Sequence, residues 1–406
     1  MIVSYAFPPS IEIGGRRWSK FVPYLSNLGY KITLLTKQPK IKAEDKIVYN
    51  NLNRVDFFNS NYPTALEKRP VTVIDHLKYK VSLLYMKIIT KTNYYDKGVL
   101  IKKSFLRKAS SIIKEENIKL VIVTGAPFSL LYYGTLLKQN FSIKLISDFR
   151  DPWTWGDGYG MNILSIIRKE KEISCQNEVL KFSNLVFVPV KPMYDHLVIN
   201  YKEFKTKIKI LPHGYDKNDF RKVIYNNKNN NNNFRIIYGG TIYSNLDQLY
   251  HELYNCVKDN INCDYNIEIF TNDFKYLTKS QLLEIKKKLS VKKLLPTKDF
   301  MKKVHSADAF LLFFPNNVKD FFSSKFYEII YLRTPIIFVG NSGMVSNFLV
   351  NNNLGIHILP EKFSLTISNI LQKGAINNFT YNNSFDVDEF SFDKITYRLN
   401  KCLIEL

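Results

Sequence analysis

Short apolar runs alternate with helical patterns along both halves of the chain. In the first half, Ile2–Tyr5, Lys31–Thr36 (KITLLT), Leu120–Thr124 (LVIVT), Lys144–Ser147 (KLIS) and Leu185–Val190 (LVFVPV) read as strands. Trp18–Leu28 repeats its apolar residues at helical spacing, and helical patterns precede the later runs. The second half repeats this logic with Arg235–Tyr238, Asn266–Phe270, Ala309–Phe314 and Pro335–Val339 as strands. Segments 246–258, 278–289 and 343–350 between them have helical spacing. Near-continuous apolar runs belong to strands buried on both faces, and their alternation with helices predicts parallel sheets. The expected architecture is α/β: two doubly wound, Rossmann-like domains over residues 1–195 and 205–385, with the boundary near 192–212. A last helical stretch follows over 386–406.

Composition narrows the class. The chain has 406 residues, 45% apolar and 23% charged, so a disordered or fibrous chain is excluded. Cys175, Cys256, Cys263 and Cys402 are scattered, with no CxxC and no Cys/His cluster, so reduced thiols are expected. The opening MIVSYAFPP has no basic stretch and meets proline early, unlike a secretory leader. Leu120–Leu137 is uncharged and almost long enough to span a bilayer, but Thr124-Gly125-Ala126-Pro127 divides it into strand, loop and helix. A soluble, cytoplasmic protein is therefore expected. The tract Asn226–Asn233 has nothing to bury and reads as a surface loop.

Charge changes the picture. Lys and Arg number 58 against 36 Asp and Glu, a net +22. Residues 1–150 hold 25 basic and 10 acidic side chains, whereas residues 151–406 hold 33 and 26. So basic a first half attracts polyanions: nucleic acid, diphosphates or an anionic membrane face. Lysine enrichment in a chain also rich in Asn, Ile and Tyr explains the same numbers without any partner. No helix-turn-helix, RNP motif or basic recognition helix is present, so nucleic acid is not expected. Segment Lys78–Lys91 (KYKVSLLYMKIITK) has two readings: a helix lying in a membrane interface, or an ordinary helix packed on the sheet.

Three stretches carry candidate chemistry. Gly14-Gly15, with Arg16 and Arg17, joins the first strand to the first helix, and serves either as a plain turn or as a close approach to an anionic ligand. It is not the GxGxxG dinucleotide fingerprint. Asp148, Arg150 and Asp151 lie at the carboxyl end of a strand, where open α/β sheets bind ligands, yet a structural ion pair fits equally. Asp320 and Glu328 are spaced D-x7-E, with Ser323, Ser324 and Lys325 between them at the start of a helix, a seat for phosphate. Pro212-His213-Gly214-Tyr215-Asp216 follows a strand at Lys209–Leu211 and opens the second domain, and Tyr238-Gly239-Gly240-Thr241 ends that domain's first strand. A glycine turn after the first strand of each domain points to a ligand held in a cleft between them. Asp386-Val387-Asp388 matches the DxD pattern of metal-dependent transferases, but two acids in a polar stretch are a poor cation site.

In combination these motifs resemble a GT-B fold glycosyltransferase, and specifically glycosyltransferase family 4. FPPSIEIGG, TGAPFS (124–129), DFRDPW (148–153), LPHGYD (211–216), GGTIY (239–243), SADAFLLF (306–313) and D-x7-E followed by YLRTPII occur in the family's order. DFRDPW resembles the branch that builds bacterial capsule, lipopolysaccharide O-antigen and exopolysaccharide. The resemblance implies two domains facing each other across a cleft, the first taking the acceptor and the second the donor. The final helix, 386–406, would pack back on the first domain. It implies retaining hexosyl transfer from a UDP-, GDP- or dTDP-sugar, without a metal or other cofactor, to a saccharide acceptor linked to polyprenyl diphosphate at the inner membrane face. Glu328 would take the ribose hydroxyls and Asp320 the sugar hydroxyls near the anomeric carbon. Ser323, Ser324, Lys325, Gly14 and Gly15 would approach the diphosphate, with His213, Gly240 and Thr241 among the donor-binding residues. Asp148, Arg150 and Asp151 would face the reacting sugar.

Three departures qualify this. The stretch Thr241–Leu249 lacks the Arg and Lys that many members place after the glycine turn, Leu130 and Leu131 stand where the branch often has a His, and Asp320 replaces the commoner Glu. Two alternatives stay open: a sugar-nucleotide epimerase or hydrolase on the same fold, and an inactive homologue.

Overall fold

The computed structural model describes residues 1–10, 13–38, 51–67, 70–90, 96–156, 161–220, 233–240, 242, 246–272, 274–314, 322 and 324–406. The expected Asn tract, apart from Asn233, lies outside these residues. The chain divides into two units, Met1–Pro212 with Ile395–Leu406, and His213–Lys394.

The first unit holds β1 (Ile2–Ser4), β2 (Thr33–Lys37), β3 (Arg54–Phe58), β4 (Leu120–Gly125), β5 (Lys144–Phe149), β6 (Leu185–Val188) and β7 (Ile208–Ile210). Its helices are α1 (Arg16–Asn27), α2 (Val73–Ile89), α3 (Lys102–Glu115), α4 (Phe128–Asn140), α5 (Ile166–Phe182) and α6 (Lys191–Asn200). The strands form one sheet in the order β3-β2-β1-β4-β5-β6-β7. Every pairing is parallel; Val3, for example, stands opposite Leu35 on one side and Val123 on the other. The order reverses between β1 and β4, which creates a switch point at their carboxyl ends.

In the second unit, α7 (Lys217–Phe220) precedes β8 (Phe234–Gly239), α8 (Asp247–Asp259), β9 (Tyr265–Phe270), α9 (Lys279–Glu284) and β10 (Leu289–Lys292). Then come α10 (Thr297–His305), β11 (Ala309–Phe313), α11 (Ser324–Tyr331), β12 (Ile336–Val339), α12 (Met344–Asn351), β13 (Gly355–Ile358) and α13 (Phe363–Lys373). The parallel sheet runs β10-β9-β8-β11-β12-β13, with its switch point between β8 and β11. Both faces are covered. Ile236, Tyr238, Leu311 and Phe313 pack in one cluster, while Ile237, Phe270, Phe310 and Phe338 pack in another on alternate positions.

The last helix, α14 (Phe392–Ile404), belongs to the first unit from Ile395 onward. There the Tyr30 hydroxyl donates to Asn400 Oδ1 at 2.7 Å, and Ile395 and Leu399 are buried.

The uncharged stretch that threatened to span a bilayer is indeed strand β4 and helix α4. No helix among the described residues is long and apolar enough to cross a membrane. Two expectations need correction. The helix expected over 278–289 stops at Glu284, because Leu289–Lys292 leaves the helix to pair with β9 as an edge strand. Of the two readings of the segment from Lys78, a broad apolar face packed on the sheet does not describe its residues 78–89: within α2 only Met86 is fully buried.

Candidate functional site

In the second unit, Gly239 and Gly240 lie at the switch point, where β8 ends. Gly240 has φ +141°, a conformation that side chains other than glycine rarely adopt. Lys325, in the first turn of α11, reaches back to this turn. Its Nζ donates to the Gly239 carbonyl and lies 5.8 Å from the centre of the Phe300 ring. A Cβ at position 240 would stand 2.7 Å from that ammonium, so the glycine makes room for the cation. Glu328 follows three residues later, on the same side of α11, and is 1% exposed. The structure thus brings together Gly240 and Lys325 at the start of a helix that carries Glu328. Ser324 opens this helix. Asp320, Ser323 and Thr241 lie outside the described residues.

His213 is half-buried at the start of the unit, just before a segment that is firmly anchored. Tyr215 is fully buried, and its N–H and carbonyl bond Phe390 and Phe392 at 3.1 and 2.9 Å. Its hydroxyl donates to Asp388 Oδ1 at 2.9 Å, and Lys217 reaches the other oxygen, also at 2.9 Å. Asp386 accepts the Asp388 N–H at 3.0 Å. The DxD pair therefore ties the end of the second unit to its beginning. Lys217 and Tyr215 hold the Asp388 carboxyl below its ordinary range, while burial and then Asp388 raise the Tyr215 phenol.

In the first unit, Asp148 lies within β5 and is completely buried. Its Oδ2 accepts from Trp18 Nε1 at 2.8 Å, Thr124 Oγ1 at 3.0 Å and Arg17 Nε at 3.1 Å. Arg17 also donates to the Leu211 and Pro212 carbonyls at 2.6 and 2.9 Å. Of the two readings of this stretch, the buried ion pair describes Asp148. Its arginine, however, is Arg17 and not Arg150. Position 17 sits between Arg16 and Trp18 on an otherwise apolar helix face, the one hint the sequence contained.

Arg150 instead fastens the switch point of this unit. Its guanidinium donates to the carbonyls of Gly125 at 2.9 Å and Ala126 at 2.8 Å, and to that of Gly14. The glycine pair does make a close approach, but to protein: a Cβ at Gly14 would meet the Arg150 guanidinium, and one at Gly15 would meet the Ala6 carbonyl oxygen at 2.7 Å. Asp151 is half-buried in the loop just beyond.

Sequence reasoning missed a second buried polar group beside this loop. Asp96 accepts from Ser129 N and Oγ, each at 2.8 Å, and from Gly98 N at 2.9 Å, which fastens the first turn of α4. Burial, and then the charge of Glu172, push its carboxyl up to about 6. Glu172 in turn accepts from Trp153 Nε1 at 3.0 Å and pairs with Arg168 at 2.7 Å. Trp153 stacks on Phe128 with ring centres 5.3 Å apart. Much of DFRDPW is therefore scaffold for the loop.

Comparison with known proteins adds the fold. No protein-family model matches the chain, and no curated protein matches it either. Solved structures do match over its whole length. A glycosyltransferase from Rickettsia africae ESF-5 is similar with a TM-score of 0.61 at 15% identity, covering 100% of this chain and 97% of that one. The lipopolysaccharide outer core galactosyltransferase WaaB gives 0.59 at 11%, covering 100% and 99%. A putative UDP-N-acetylglucosamine 2-epimerase from Listeria monocytogenes gives 0.57 at 10%, covering 99% and 95%. The fold is that of the GT-B glycosyltransferases, built from two Rossmann-like parallel-sheet units.

Proposed function

We propose that the chain is a retaining glycosyltransferase of family 4, of the branch that assembles bacterial surface polysaccharides. It would move a hexose from a UDP-, GDP- or dTDP-sugar to a saccharide on a polyprenyl diphosphate carrier at the cytoplasmic membrane face. The observation that carries this reading is the Lys325 ammonium held on the glycine turn at the switch point of the second unit, one helical turn before the buried Glu328.

The chemistry follows from charge. When the glycosidic bond breaks, the nucleoside diphosphate gains negative charge, and a fixed cation with free helix N–H groups stabilises it. Lys325 and the start of α11, with Ser323 and Ser324, fill that role, which makes a metal unnecessary. Glu328 takes the ribose hydroxyls, and His213, Gly240 and Thr241 contribute to the donor pocket. The sugar becomes oxocarbenium-like, and the Asp320 carboxylate stabilises it. Asp151, half-buried in the loop after β5, would face the reacting sugar. Arg150 and the buried Asp148 act as positioning residues beneath it.

A second reading, a sugar-nucleotide epimerase or hydrolase, is favoured by the match to a putative epimerase of the same fold. Product analysis separates the two. Radiolabelled donor sugar incubated with a polyprenyl-linked saccharide extract should move into the organic phase, with its anomeric configuration kept. An epimerised nucleotide sugar, or free sugar alone with acceptor present, would contradict transfer.

A further inference from the structure

Helix α2 is turned the opposite way from a core helix. Ile74, Leu77, Val81, Leu84, Tyr85 and Ile88 are each 50–70% exposed. At 3.6 residues per turn they form one continuous stripe along a helix about 25 Å long. The inward side is made by Ser82, Leu83 and Met86 instead, and the Thr90 hydroxyl donates back to the Met86 carbonyl. The start of the helix is locked by a capping box between Thr72 and Asp75, so the stripe belongs to a well-formed element.

Charge borders the stripe on both sides. The same helical spacing sets exposed Lys80 and Lys87 along one edge and exposed Lys78 along the other. No acidic residue enters the stripe. The surrounding sequence, residues 68–103, holds nine basic side chains and two acidic ones. Those two acids are engaged: Asp75 in the cap and Asp96 in its buried group.

We infer that this face docks on an anionic phospholipid bilayer, with α2 lying in the plane of the interface. Aliphatic side chains would enter the acyl boundary while the lysine stems run up to the headgroups. The helix is too short and too charged to span. A second copy of the chain is a poor occupant, because pairing two such stripes sets lysine rows against lysine rows. Docking stands independently of the sugar-transfer reading. If both hold, α2 brings the first unit to the surface where a lipid-linked acceptor resides.

The test is vesicle flotation of the full chain, with no nucleotide sugar present, so its failure leaves the transferase reading untouched. The wild type should float with mixed phosphatidylcholine and phosphatidylglycerol vesicles and much less with phosphatidylcholine alone. Leu77→Asp with Leu84→Asp should weaken binding by about a hundredfold or more. Lys78→Gln with Lys80→Gln should weaken it by about twentyfold, as added salt should in the wild type. All four positions are exposed, and unchanged circular dichroism would verify the fold of each variant. Wild type that stays in the soluble fraction, or an Asp variant that floats equally well, overturns the inference. So does a wild-type dimer that the Asp variant converts to monomer, which would assign the stripe to a second copy.

Discussion

A carboxylate with no access to water keeps its charge only when donors surround it, and Asp148 gathers three of them on one oxygen. Its other oxygen is buried with no hydrogen-bond partner among the described residues. Removing the carboxylate takes the opposite charge away from Arg17, whose side chain is 2% exposed and would keep its bonds to the Leu211 and Pro212 carbonyls. Asp148→Ala should therefore lower unfolding free energy by about 3–5 kcal/mol in urea titrations. A loss under about 1 kcal/mol would show that the pair does not hold α1 to the sheet. Asp96 predicts a pH effect of unusual sign. Its carboxyl titrates near 6 in the folded chain against 3.8 as the ordinary value, so the folded state binds the proton more tightly. The stability it contributes is present at low pH and falls as pH rises between these values. Asp96→Asn should therefore gain on the wild type between about pH 4 and pH 7, by up to about 3 kcal/mol. A stability difference that stays flat over that range would contradict the buried, proton-holding carboxyl.

At the scale of elements, legibility followed burial. Strands covered on both faces, such as β4 (LVIVTG) and β11 (AFLLF), stand out as apolar runs in the sequence. The strands that went unread are β3, β10 and β13, each at a sheet edge. An edge strand is half solvated, which shortens the apolar run, and charge that blocks further pairing interrupts it in β10, where Lys292 stands, and in β3. In β3, Arg54 binds Asp56, Glu115 and Glu116 at 2.6–2.8 Å, and Lys108 adds a bond to Asp56 at 2.7 Å. The α2 segment was ambiguous for a related reason. Periodicity reports that a helix has an apolar face, but not which way the tertiary structure turns it. The glycine turns were readable because no other residue tolerates their close contacts. Asp148 was visible as a strand-end acid, whereas its partners Arg17, Trp18 and Thr124 come from other elements and share no local pattern with it.

At the scale of the whole molecule, each unit has described candidate residues at the switch point of its own sheet, Gly14 and Arg150 in the first and Gly240 and Lys325 in the second. In the first unit Arg150 fills that point with bonds to three carbonyls; in the second, Lys325 brings a single cation to the glycine turn. With no basic residue in Thr241–Leu249, donor binding on this account depends on Lys325. The most direct test is thermal stabilisation by a panel of UDP-, GDP- and dTDP-sugars. One of them should raise the melting temperature of the wild type by roughly 5–10 °C at a hundredfold excess over its Kd. The rise should vanish in Lys325→Ala and Glu328→Ala and persist in Asp388→Asn. If no nucleotide sugar shifts the transition, or if the shift survives in Lys325→Ala, the second unit does not hold its donor as proposed.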